Sequence, residues 1–458
     1  MRKKAVLSVL MIFFLTSAIS LTYYALPVFG EPITINVPTD YPTIQQAINA
    51  ASSGDTISVA PGTYYENLQI GKTIFLQGSD KETTIINGGG SGDVIFLSAS
   101  YVSIMDLTVT NGYNGIQLIA DYNINHVTIK DVKITSISGQ GIRAGHSGDY
   151  HLIENCVFQN NWYNFYAHQF SYSTITNCEV FDGEIGITVG HASYTTISDM
   201  KIHDLVRGGI YLDTMQHSVI TNCELYALER GINCGGLDSR YNTISNNIIY
   251  SNNKGISMGN SRYNNIFENN IFNNNYGIYV DPNPNYGNLI YHNDFVDNTY
   301  AAVVSYSQYT NSWDNGYPSG GNYYSDYAGV DVFSGPNQDI PGMDGIGDTP
   351  YVIASNNVDN YPVMNPYFPP TPEEAIVDLV ENVESMNLQQ GIDNSIDTKL
   401  ENALESLDAI NADQRNDAVN KLYALINSVE AQRGNKLTDE QADYLIAETL
   451  KIISLIEG

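Results

Sequence analysis

From Val94 onward the chain repeats a frame of 22 to 24 residues. The coils begin near Val94, Gly115, Gly141, Asn164, Gly186, Gly209, Gly231, Gly255 and Gly277. Most contain a short GIxV-like stretch, a turn, an aromatic-x-x-Ile stretch, an Asn or Asp, and a further apolar stretch. Apolar residues alternate within each piece, which is the period of a strand and not of a helix. Strands this short bury no face alone, so the copies must stack on one another into a continuous core. Parallel coils stacked like the strands of one sheet lie about 4.8 Å apart. The expected fold is therefore mainly β: a right-handed single-stranded parallel β-helix with three short strands per coil.

Two columns set the register. The position before x-x-Ile or x-x-Leu holds Tyr101, His126, Tyr150, Tyr172, Tyr194, His217, Tyr241, Tyr263 and Tyr286. Two residues after the Ile come Asp106, Asp131, Asn155, Asn177, Asp199, Asn222 and Asn246. Short polar side chains suit the left-handed or bridge conformation of a tight corner, and stacked amides can bond along such a column. A sulfur column follows, with Cys156, Cys178 and Cys223, and Met200 filling the gap. It reads as small buried hydrophobes, with a strained Cys156–Cys178 bridge as the alternative.

The repeats, residues 94–310, need covered ends, since bare terminal coils expose sheet edges. Residues 31–93 combine a short amphipathic helix with the first strands, the expected N-terminal cap. Residues 311–367 lose the period, become rich in Gly, Pro, Asp and Tyr, and form the expected C-terminal cap. Residues 368–372, FPPTP, are a stiff linker. Beyond it apolar residues recur at three and four, which predicts a small α-helical bundle of four helices over 373–458. Thr438-Asp439-Glu440-Gln441 has the pattern of a capping box.

Residues 1–30 begin with Arg2, Lys3 and Lys4 and continue as an uncharged apolar run. This is the pattern of an export signal peptide, with an uncleaved anchor as the alternative. The expected location is therefore secreted or at the cell surface, with membrane contact only if the segment is uncleaved. Fifty acidic against twenty basic side chains give a formal charge of −30, which argues against nucleic acid as a partner.

PTIQQAINAASSGDTISVAPGTYYEN with the GI-spaced coils resembles the pectin-lyase-like right-handed parallel β-helix superfamily. More narrowly, NSWDNGYPSGGNYYSDYAGVD followed by DGIGDTPYVI resembles NosD-like surface proteins, common in archaea and described as periplasmic copper-binding or carbohydrate-binding and sugar-hydrolysing. AIVDLVENVESMNLQQGIDNSIDTKLENALESL resembles the FIMAH domain, a helical module of secreted proteins. The superfamily holds lyases, hydrolases, epimerases and non-catalytic adhesins, so the resemblance implies a fold and leaves the activity open.

The candidate chemistry lies just past the GIxV-like strand. His146, His168 and His191 fall there in three consecutive coils, and stacking predicts a row about 5 Å apart. The next coil carries Asp213 and Thr214. Outward positions of the same strands supply Arg143, Tyr166, Thr188 and Tyr211, and the loops leading in supply Trp162, Tyr163, Asp182, Glu184 and Arg207. Aromatic rings, imidazoles and a few charges suit binding of an extracellular polysaccharide or a glycoprotein glycan by His146, His168, His191, Tyr166, Tyr211, Trp162 and Arg207. Catalysis is the alternative. A hydrolase needs two carboxylates about 5–9.5 Å apart, for which Glu184 and Asp213 are candidates, and a lyase needs a base such as Arg143. Copper held by the histidine row is another alternative, and a purely structural envelope component a further one. Asp331, Asp339, Asp344 and Asp348, in and near DGIGD, are candidate calcium ligands. The helical bundle is a candidate dock for an envelope protein.

Overall fold

The computed structural model describes residues 31–119, 124–146, 148–306, 308–369, 371–386, 388, 391–407 and 412–457. The export-signal reading, on residues 1–30, lies outside them. No helix among the described residues is long and apolar enough to cross a membrane. The chain divides into two compact units, residues 1–174 and 175–458. Both contain coils of a right-handed parallel β-solenoid, and the second also contains the C-terminal helices.

In the first unit each coil lays one strand on each of three faces. On the first face Leu76, Ile104, Ile129 and Ile153 are partners in register. On the second the row is Ile86, Val109, Ile134 and Phe158. On the third it is Ile95, Ile116, Ile142 and Phe165. These side chains are at most 2 % exposed, because strand alternation sends every second residue inward and the coil above covers it. Each such burial stabilises by about 1.5–3 kcal/mol.

The second unit repeats the plan. Its rows are Ile197, Ile220, Ile244, Ile266 and Ile290 on the first face. The second face has Val180, Ile202, Leu225, Ile249, Ile271, Phe295 and Tyr324. The third has Ile187, Ile210, Ile232, Ile256, Ile278 and Ala302. Tyr324 belongs to the C-terminal cap, so that segment adds a final rung to the solenoid before closing it.

Left-handed residues turn the chain between faces. The Tyr/His column from Tyr101 to Tyr263 has φ between 51° and 62°, and the Asp/Asn column from Asp106 to Asn246 has φ between 52° and 58°. A third column, Asn111, Ser136, Asn160, Asp182, Asp204, Ala227, Ser251 and Asn273, does the same. Its residue types vary too much to stand out in the sequence. The rings of the first column stack at centroid distances of 4.7–5.4 Å, in the first unit from Tyr101 to Tyr172 and in the second from Tyr194 to Tyr263.

Amide bonding does occur along the Asp/Asn column, as from Asn222 Nδ2 to Asp199 Oδ1 at 3.4 Å. The continuous amide ladders, however, stand one residue further on, where the corner has turned the next side chain inward. Asn242, Asn264, Asn288, Asn311 and Asn357 form one ladder. Asn247, Asn269, Asn293 and Asn322 form a second, and Asn252, Asn274 and Asn298 a third. The second ladder continues the sulfur column of the unit: Cys223 N donates to Asn247 Oδ1 at 3.0 Å. All four cysteines are buried, and burial pushes the thiols of Cys223 and Cys234 up to about 12.

Both ends are closed. Helix α1, Ile44–Ala50, turns Ile44, Ala47 and Ile48 onto the first strands. Thr43 caps it, and the Glu66 carboxylate accepts the Ile44 and Gln45 amides, both at 2.9 Å. At the other end Trp313 is fully buried and donates Nε1–H to Asn357 Oδ1, while Tyr324 stacks on Phe295 and Tyr351. Asp294 accepts the amides of Tyr367 and Phe368 at 2.9 and 2.7 Å, which pins the linker.

Four helices follow: α2 Pro372–Ser385, α3 Asp393–Leu407, α4 Ala412–Gln432 and α5 Asp439–Glu457. Their inward residues, among them Ile376, Leu379, Leu400, Leu422, Leu425 and Leu445, make a core of their own. The capping box forms as expected, with Thr438 N donating to Gln441 Oε1 and Gln441 N to Thr438 Oγ1.

Candidate functional site

The three faces differ in what they turn outward. On the first face of the second unit the outward rows are Thr196, Val219, Thr243, Asn265 and Leu289 on one side of the buried Ile, and Ser198, Thr221, Ser245, Phe267 and Tyr291 on the other, with the last two rings stacked. The second face carries a ring stack, Phe181, His203, Tyr226, Tyr250 and Phe272, at 4.8–5.3 Å and interplanar angles up to 16°. Each ring covers the next, so the stack offers edges and not faces to solvent. The third face mixes aromatics, amides, charges and bare glycine.

In the first unit the third face holds Gln117, Arg143 and Tyr166 as register partners, with Arg143 Nη1 donating to Gln117 Oε1 at 3.0 Å. Trp162 is half-exposed and meets Tyr163 edge-on, and Tyr163 meets Tyr166 edge-on. His146 and His168 come together with ring centroids 4.2 Å apart and planes tilted by 56°. They are nevertheless not in register, as a regular row would require. Pairing here runs at 23 residues, as Ile142 with Phe165, so His168 aligns with Gly145 and His146 falls one position beyond. His146, at φ 52°, is a corner residue, and its Nδ1 lies 2.8 Å from Gln169 Oε1.

In the second unit His191 is likewise a corner residue, with φ 48°, and its amide donates to Asp213 O at 2.8 Å. Gly190, not His191, is the register partner of Asp213. Glu184 and Arg207 form an ion pair at 3.1 Å, so the proposed catalytic acid is held by the proposed sugar-binding guanidinium. Tyr211 donates its hydroxyl to Arg207 O at 3.3 Å.

Tyr211, Asn233, Ser257 and Tyr279 follow one another as outward register partners. The Lys254 ammonium stands 3.6 Å above the Tyr279 ring and 4.0 Å from Asp281 Oδ1. Lys254 was a candidate lyase base in the sequence, with Arg143, Arg207 and Arg230, but Ser257, Tyr279 and Asp281 were not singled out. The signal was available in the alignment of coils, where Asp281 follows Val280 as Asp213 follows Leu212.

The acidic loop of the C-terminal cap uses its carboxylates on its own backbone. Asp331 accepts the amides of Asp344 and Gly345, Asp344 those of Gly335 and Ile346, and Asp348 those of Val332 and Phe333. Asp339 is exposed. Among the described residues, no three His, Cys, Asp or Glu side chains converge as metal ligands. A cavity of about 370 Å³ lies between α2, α5 and Asn365–Pro366, lined in part by Leu379, Tyr444 and Lys451. It holds none of the candidate residues.

Residues 114–238 and 186–332 match the family model described as the right-handed beta helix region. No curated protein sequence matches the chain. Among solved structures, the A-module of the mannuronan C-5 epimerase AlgE6 of Azotobacter vinelandii superposes with a TM-score of 0.46 and 15% identity, covering 58% of this chain and 91% of that one. An alginate lyase from Paenibacillus sp. str. FPU-7 gives 0.40 and 17%, over 64% and 96%. The catalytic domain of a GH87 alpha-1,3-glucanase gives 0.46 and 13%, over 61% and 67%.

Proposed function

We propose that this right-handed parallel β-helix protein acts outside the cytoplasm by binding polysaccharide along the third face of its coils. The observation that carries the reading is the chemical contrast between faces. The first face turns out small hydroxyl side chains in its early coils and the stacked Phe267 and Tyr291 in its late ones, and the second a closed ring stack. The third presents Trp162, Tyr166 and Arg143 in the first unit, and Tyr211, Asn233, Lys254 and Tyr279 in the second. Rings beside amides and charges are what sugar recognition uses: apolar ring faces cover C–H surfaces while polar tips exchange hydrogen bonds with hydroxyls. The basic and then apolar pattern of residues 1–30 supports the extracellular setting.

Affinity electrophoresis of the full chain through gels containing individual polysaccharides tests the reading, with retardation expected in at least one gel. Unretarded migration in every gel would end it. The same polysaccharides incubated with the protein separate binding from catalysis: new reducing ends or unsaturated uronate would make the face an active site. Copper handling rests on the close His146–His168 pair. It predicts stoichiometric copper in the purified protein that His146→Ala and His168→Ala both remove.

A further inference from the structure

The third face of the second unit contains a slot that no sequence motif announced. Asp213 pairs with Gly235, and Cys234, Met258 and Val280 are successive partners. The next residues along are therefore Gly235, Gly259 and Asp281, giving a column Asp213, Gly235, Gly259, Asp281. Two glycines lie between two aspartates, and the backbones of the aspartates are three strand spacings apart, about 14 Å. Neither glycine has a left-handed φ, so turn geometry does not explain them.

The Asp281 carboxylate leans over Gly259, where a Cβ would stand 3.3 Å from its Oδ2, whereas the Asp213 carboxylate turns to Gly236, the residue after Gly235, and accepts the Thr214 hydroxyl at 3.1 Å. Beside this floor run Asn233 and Ser257, with Tyr211 and Tyr279 as the flanking register partners. Ser257 is fully buried although it occupies an outward position, and its Oγ has no hydrogen-bond partner among the described residues. A buried hydroxyl of this kind is destabilising when unsatisfied and is expected to find a partner.

We propose that this slot is a sugar subsite and that the sugar it takes is uncharged; the inference rests on the polysaccharide reading above and deepens it. Carboxylate oxygens are hydrogen-bond acceptors, so the two aspartates suit hydroxyl donors at both ends of a bound ring. Of the cations on this face, Lys254 faces Asp281 and Arg207 faces Glu184, while Arg230, the register partner of Lys254, forms no ion pair among the described residues. An anionic sugar would place its carboxylate against Asp213 and Asp281, on a chain of formal charge −30. Glycine at 235 and 259 leaves the backbone open to close approach, with Tyr211 and Tyr279 as apolar walls.

The test compares affinity electrophoresis in neutral glucans, mannan and xylan with that in pectate and alginate, for the full chain and for Gly235→Val, Gly259→Val and Asp281→Ala. The glycine variants meet only side-chain atoms at 3.3 Å, so the coil should survive them, and circular dichroism checks this. Retardation by a neutral polysaccharide, weakened at least tenfold by Gly259→Val and by Asp281→Ala, is the expected result. If either glycine variant unfolds, Asp281→Ala decides. Neutral binding that none of the three substitutions weakens would overturn the slot. Retardation by pectate or alginate alone, with or without added calcium, would overturn the uncharged class while leaving polysaccharide binding intact. No retardation anywhere would overturn both.

Discussion

In the first unit the residue following the Tyr/His corner is Val102, Val127, His151 and Ser173 in successive coils. In the late coils of the second unit the same position is asparagine without a break, from Asn242 to Asn357. Both sets bury the same kind of corner, but they satisfy its amides differently. Val127 N donates to His151 Nδ1, and His151 N to Ser173 Oγ, so each rung is solved by a different side chain. In the late coils each carboxamide oxygen accepts both the backbone amide and the side-chain amide of the preceding rung, as Asn288 Oδ1 does from Asn264. The ladder is one solution repeated. Regular amides make coils interchangeable, whereas irregular corners leave room for local chemistry. Tyr211, Asp213, Lys254 and Asp281 occupy coils where the sulfur column hands over to the amide ladders.

The strongest test of this contrast removes one rung. Asn269 accepts from Asn247 N and Nδ2, and donates to Ile244 O, Phe267 O and Asn293 Oδ1. Asn269→Leu strands buried donors and acceptors on both sides, with an expected cost of about 3–5 kcal/mol read from the denaturant midpoint. Cys223→Asn does the opposite. It extends the ladder upward, because Cys223 N already donates to Asn247 Oδ1 and the thiol already points toward the Ile197 and Thr221 carbonyls. Its stability should lie within about 1 kcal/mol of the parent. Equal losses in the two variants would break the comparison.

The second test is the end of that ladder, where Asp359 replaces asparagine. Its carboxylate accepts the amide of Asn322 at 2.7 Å and is reached by the Tyr324 hydroxyl at 3.2 Å. Burial raises its pKa from 3.8 to about 7, against the lowering effect of the backbone amides. Asp294 is raised to about 6 for the same reason. A raised folded pKa means that the native state holds a proton that the unfolded chain has released. The stability this contributes is complete below pH 3.8 and is lost as pH rises through 6 and then 7. Thermal unfolding should therefore fall from pH 5 to pH 8. Asp359→Asn should flatten that fall by up to about 3 kcal/mol, at roughly 1.4 kcal/mol per pH unit between pH 5 and pH 7. An unchanged slope would show that Asp359 does not titrate in this range.

These ladders mark where sequence reasoning reached and where it stopped. The coil, the small C-terminal helical region and the Thr438 capping box were legible, because each follows from spacing or a local pattern. The amide ladders were placed one residue early, since a left-handed corner at Asn246 turns Asn247 inward and linear spacing does not reveal that. His146 and His168 are 22 residues apart while the local pairing runs at 23, so equal-looking motifs landed out of register. The slot between Asp213 and Asp281 went unread because its floor is made of missing side chains, at Gly235 and Gly259.

A smaller effect is expected where the solenoid meets its helices. Asp294→Ala removes the acceptor for the Tyr367 and Phe368 amides. Limited proteolysis within 367–372 should rise several-fold, while the unfolding midpoint of the coils drops by no more than about 1–2 kcal/mol. A larger drop would mean that the pinned linker supports the last coil itself.

The smallest effect concerns the outer corner, which both units share. Tyr150 in the first unit and Tyr241 in the second have φ of 62° and 59°, and each is about half exposed. A non-glycine residue there costs about 1–2 kcal/mol relative to glycine. What offsets this is ring stacking: Tyr241 lies 5.1 Å from His217 and 5.4 Å from Tyr263, and Tyr150 lies 5.1 Å from His126. Alanine keeps the strain and loses the stack, whereas glycine loses both. Tyr241→Ala should therefore be less stable than Tyr241→Gly by about 1 kcal/mol, with the same order at Tyr150. If the order reverses at one position only, the corner in that unit is held by more than its rings, and the two units differ at their surface as well as at their core.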